Sequence, residues 1–133
     1  MRPAIATVCS LEAPLGTVLD DYAAGHVDAV DLWLGHADAF IAANGMSSLR
    51  ERFVAAGISP VAASFQGGLL ISQGDARREH WRHFGERLDL CRHLGIPVLV
   101  VAGDAFGPLG AEDLNRLSTS LAEASSRAAA RPR

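Results

Sequence analysis

Four apolar runs recur along this chain, each separated from the next by a stretch in which apolar residues fall every third or fourth position. Ala4-Ile5-Ala6-Thr7-Val8-Cys9, Ala29-Val30-Asp31-Leu32-Trp33-Leu34, Val61-Ala62-Ala63 and Val98-Leu99-Val100-Val101 read as strands. The stretches between them read as helices. Leu15, Val18, Leu19 and Tyr22 make one stripe after Pro14, and Gly25 stands where a C-terminal cap belongs. Ala37 to Ala43 makes a short helix; Ser47 or Ser48 caps another, in which Leu49 and Phe53 share a face and Gly57 closes the end. The longest helix starts near Asp75, carries Trp81, Phe84, Leu88, Cys91 and Leu94 on one face, and stops at Gly95 and Pro97. A last helix begins near Ala111, with Leu114, Leu117, Leu121 and Ala124 on one stripe.

Val98 to Ala102 is continuously apolar and Ala4 to Cys9 nearly so, as strands are when both faces of their sheet are covered. Alternation of strand and helix then implies parallel strands joined by right-handed crossovers. Two architectures satisfy this: an arc of a barrel, and an open doubly wound sheet. The open sheet normally carries a glycine-rich phosphate loop after its first strand, and Cys9-Ser10-Leu11-Glu12-Ala13-Pro14 contains no glycine. Closing an eight-stranded barrel takes about 250 residues. With 133 residues and four strand–helix units, this chain has the makings of half of one. The expected half-barrel domain is 1–121, followed by a tail, 122–133, rich in Ala, Ser and Arg and expected to fray.

Composition narrows the partners rather than the fold. A hydrophobic content of 49% with 20% charged residues is that of a chain with a core, not of a disordered one. Net charge is −3, and the 12 basic residues, all arginine, are scattered apart from pairs such as Arg77-Arg78. Nothing there marks a nucleic-acid surface. Cys9 and Cys91 lack paired spacing and read as free thiols. No apolar run approaches the roughly 18 residues of a membrane span, and Met1-Arg2-Pro3-Ala4 lacks a secretory apolar region, so the expected setting is the cytoplasm without membrane attachment.

Three segments taken together are more specific. Ala29-Val30-Asp31-Leu32-Trp33-Leu34-Gly35-His36, Val61-Ala62-Ala63-Ser64-Phe65-Gln66-Gly67-Gly68-Leu69-Leu70, and Leu88-Asp89-Leu90-Cys91-Arg92-His93-Leu94-Gly95-Ile96-Pro97-Val98-Leu99-Val100-Val101 resemble, in this order, the sugar phosphate isomerase/epimerase family of xylose isomerase-like TIM barrels. The resemblance runs from Ala4 to about Asp104. It implies an α/β fold of four consecutive parallel strand–helix units, half of a TIM (βα)8 barrel. Members interconvert aldoses and ketoses or epimerise ketoses with a divalent metal, and the metal ligands come mainly from the later strands, which this chain lacks. The resemblance therefore implies no metal held by this chain alone. Manganese, cobalt or magnesium would require a C-terminal half that supplies ligands.

The residues at strand ends are the candidates for chemistry. Strand alternation puts Asp31 and Trp33 opposite Val30, Leu32 and Leu34, on what becomes the interior face of a barrel. There Trp33 offers a stacking platform for a sugar ring and Asp31 an acceptor for hydroxyls; the structural alternative is a packed indole and a hydrogen-bonded acid. Ser64 and Gln66 at the third strand end, and His36 in the loop after the second, complete the expected substrate site. Cys9, Ser10 and Asp104 share the rim, but no metal-ligand spacing such as His-Glu-x-x-His links any of these residues. His80, His83 and His93 read as surface residues of the long helix. Two outcomes follow for assembly and function. Either the chain is the N-terminal half of a sugar isomerase or epimerase, active when a complementary half is supplied, or it is a non-catalytic, self-associating half-barrel that binds sugar or serves as a structural module. A homodimer or a complex with a C-terminal half is expected in either case, because an arc of four strands leaves both edges and half of its core open. The third alternative, a small open-sheet protein with an unrelated ligand, keeps only the strand–helix alternation.

Overall fold

The computed structural model describes residues 3–130. Its strands are β1 (Ile5–Ala6), β2 (Ala29–Trp33), β3 (Ser59–Gln66) and β4 (Leu99–Val101); its helices are α1 (Leu15–Ala24), α2 (Leu34–Asn44), α3 (Met46–Ala56), α4 (Gly74–Leu94) and α5 (Ala111–Ala129). The strands pair in parallel in their chain order, β1-β2-β3-β4. That order is the half-barrel arrangement read from the sequence; an open doubly wound sheet would reverse direction partway. The α5 helix runs through Ala122 to Ala129, and the last residues of the expected tail lie outside the described ones.

Boundaries differ from the sequence reading where apolar character and backbone shape part company. The first apolar run is extended only at Ile5 and Ala6, and Thr7–Ser10 winds into a 3-10 turn. Gly25 does not cap α1 in the left-handed region; its φ is −83°, and His26, at φ 60°, makes the turn instead. Neither Ser47 nor Ser48 caps α3. Gly45, at φ 85°, joins α2 to α3 with no intervening loop, a conformation that favours glycine.

Packing falls into two groups. Leu19, Val30, Leu32, Leu49 and Leu90 form the main core between the sheet and α1, α3 and α4. Leu69, Leu70, Trp81 and Phe84 form a second cluster under α5, which contributes Leu117 and Ala124. In parallel register, facing residues share a side of the sheet. Val30, Leu32 and Ala63 lie on the helix-covered side with Leu99, so Asp31, Ala62, Trp33 and Ser64 lie on the inner one. Val98 and Val100, exposed and alternating with Leu99, belong to that inner side as well.

Candidate functional site

The C-terminal strand ends gather most of the expected residues. Trp33 closes β2 and is the residue from which α2 starts, and its backbone amide donates to the Thr7 hydroxyl at 2.9 Å. Its indole folds back over Gly35, where an added Cβ would sit 2.5 Å from the ring, so only glycine fits beneath it. His36 packs edge-on to the indole at 5.0 Å and Phe65 at 6.5 Å. This aromatic trio, with Gly35 as its floor, stands beside Asp31 and Ser64.

His36 is not a solvated loop residue. It occupies the first turn of α2 at 5% exposure, and neither ring nitrogen has a partner. Asp31 Oδ1 is likewise buried without a hydrogen bond. Ser64 is buried next to Trp33 in register. Gln66 goes elsewhere. A register shift in β3 between Ala63 and Gln66 sets Gln66 opposite Val101, which packs with the second cluster on the helix side. Its amide donates to the Gly67 carbonyl at 3.0 Å, and it faces a cleft of about 410 Å³ shared with His80, His83 and Arg87. Asp31, Trp33, His36 and Ser64 therefore come together, while Gln66 faces the neighbouring cleft, which Phe65 also lines.

The same register shift brings forward a residue the sequence reading leaves out. Phe65 has φ 79°, a left-handed backbone that costs a non-glycine residue roughly 1–2 kcal/mol, and its ring is 58% exposed against Trp33. The only signal for it in the sequence is its place between Ser64 and Gln66, because alternation alone cannot reveal a bulge.

The remaining polar groups are structural. Both carboxylate oxygens of Asp104 accept backbone amides, from Leu70 at 3.1 Å and Ile71 at 3.3 Å, which ties the loop after β4 to the loop after β3. Arg87 grips Asp38 with both guanidinium nitrogens, and His83 Nε2 lies 3.2 Å from Glu79, whose carboxyl the Arg82 guanidinium holds below its ordinary value. Burial pushes the Cys91 thiol up to about 11, which keeps it protonated and unreactive at neutral pH. Cys9 is exposed. Among the described residues no group of three His, Cys, Asp or Glu side chains is placed to hold a metal ion. Among them, too, no helix is long and apolar enough to cross a membrane.

Solved structures share this architecture. The chain is similar to a xylose isomerase-like TIM barrel/4-hydroxyphenylpyruvate dioxygenase fusion protein at 23% identity and a TM-score of 0.78, over 98% of this chain and 20% of that one. It is similar to the zinc-bound IolI protein at 18% identity and a TM-score of 0.83, over 96% of this chain and 48% of that one. A third neighbour is D-psicose 3-epimerase in the presence of D-fructose, at 18% identity and a TM-score of 0.70, again over 96% of this chain and 48% of that one. The chain thus has the fold of half of a xylose isomerase-like TIM barrel, and it spans about half the length of two of these proteins. No protein-family model and no curated protein sequence matches it.

Proposed function

We propose that this chain is the N-terminal half of a sugar isomerase/epimerase-type barrel and that its rim binds a polyol. The observation carrying the reading is the grouping of the Trp33–Phe65 aromatic pair with Asp31 and Ser64 on the inner side of a sheet whose fold is that of such barrels. An aromatic pair offers an apolar platform to the C–H face of a sugar ring, and a carboxylate and a hydroxyl beside it offer directional contacts to ring hydroxyls. Isomerisation or epimerisation needs a base and an electrophile at the reacting carbons. In this reading catalysis belongs to an assembly with a second half that brings the metal ligands.

Ligand-observed NMR with D-fructose, D-psicose and myo-inositol tests the reading. The wild type is expected to bind at least one of them. Phe65→Ala and Ser64→Ala are each expected to weaken that binding, the latter by about 0.5–1.5 kcal/mol for one lost hydroxyl contact. Binding that survives both substitutions would move the site off this rim. A second reading, a non-catalytic half-barrel that associates with itself, is favoured by the apolar side chains left open along β1, β4 and α5.

A further inference from the structure

Each end of the sheet lacks what the other end offers. Ile5 of β1 pairs in register with Val30, which is fully buried under the helix layer, yet Ile5 is 42% exposed because, among the described residues, no helix lies beyond β1 to cover it. At the opposite end, α5 follows β4 and has no further strand beneath its outer flank. Leu117 and Ala124 pack inward, Leu114 stays exposed, and Leu121, 49% exposed, looks with Ala124 into an open cleft over β4 and α4. On the inner side, Val98 just before β4 and Val100 within it are exposed. One end is a strand without a helix; the other is a helix without a strand.

From this we infer that two copies of the chain close into a single eight-stranded barrel about a two-fold axis running along the strands. Such an axis preserves strand direction, so β4 of each copy meets β1 of the other in parallel, and the two seams are identical. Closure removes both free edges, which is the usual remedy for exposed strands. The partner's Ile5 then lies beneath Leu114 and Leu121 of α5, and Val98 and Val100 face their counterparts across the interior. No charged side chain occupies β1 or β4, so neither seam opposes like charges. The pairing depends on the half-barrel fold and not on sugar recognition, so it stands or falls separately from the proposed function.

Sedimentation equilibrium of the full chain without sugar tests it, together with Ile5→Lys and Leu121→Glu. Both positions are exposed, so each variant is expected to keep the far-UV circular dichroism of the wild type; Val100→Glu, on the inner side, replaces either that does not, in the single-variant measurement only. The wild type is expected to be a dimer that does not grow further with concentration. Each variant alone places a charge in both seams and is expected to weaken dimerisation by at least about tenfold. Mixing the two is expected to restore a heterodimer, because one seam is then wild type and the other sets the introduced ammonium against the introduced carboxylate. A wild-type monomer, a polymer growing with concentration, variants that dimerise as tightly as the wild type, or a mixture no tighter than its components would each overturn the closed two-fold barrel.

Discussion

Phe65 sets a backbone cost against a side-chain contact. Its ring packs on Trp33 at 6.5 Å, and the conformation that delivers it is one that glycine adopts without strain. Replacement by alanine and by glycine separates the two terms, since both remove the ring and only glycine also removes the Cβ. The glycine variant is expected to be more stable than the alanine variant by about 1 kcal/mol in chemical denaturation. Equal stabilities would mean that the left-handed backbone carries no strain. At this scale the sequence is legible where alternation holds and misleading where it breaks. Asp31, Trp33 and Ser64 lie on the face that period-two counting gives them, whereas Gln66 lies one bulge further on and on the other side. His36 reads as a loop residue of the substrate site from sequence because it follows a glycine at a strand end. The helix starting at Leu34 buries it instead.

Among the elements, α5 has the most tenuous attachment and the most polar one. Ser120, fully buried on α5, donates to the Leu70 carbonyl at 3.0 Å and accepts from Arg77 Nη2 at 3.0 Å; Arg77 also donates to the Leu69 carbonyl. Arg127 of α5 and Arg77 of α4 both lie over the Trp81 ring, at 4.7 and 5.3 Å. Ser120→Ala strands the Leu70 carbonyl and one guanidinium nitrogen in a buried place, which costs about 1–3 kcal/mol. Because the main core does not include α5, hydrogen exchange is expected to accelerate across α5 and to change little in β2 and β3. Uniform acceleration would show that α5 is part of one cooperative unit. The helical stripes of α4 and α5 are plain from three- and four-residue spacing. The 3-10 turn at Thr7–Ser10 is not, since an apolar run reports burial and says nothing of dihedral angles.

For the whole molecule, the fold is legible from punctuation: a glycine at the end of α1, α3 and α4, and an apolar run after each of those three glycines. What the sequence withholds is which surface meets which, because complementarity between β1 and α5 exists only once both are placed. If the seams form in solution, the folded state gains stability with concentration by mass action. The midpoint of thermal unfolding is therefore expected to rise as the chain is concentrated from micromolar to hundreds of micromolar in the wild type, and to stay constant in Ile5→Lys. A constant midpoint for both would remove assembly from the stability of this protein.

The strand order β1-β2-β3-β4 has a consequence for how the chain first acquires its shape. Every strand after the first finds a hydrogen-bonding neighbour among residues already synthesised, and none of them waits for one that comes later. Chains emerge N-terminus first, at about 5–20 residues per second. The sheet can thus grow outward from the ribosome one unit at a time, each new strand templated by the last. Under that order the outer edge of β1 is the edge left open longest.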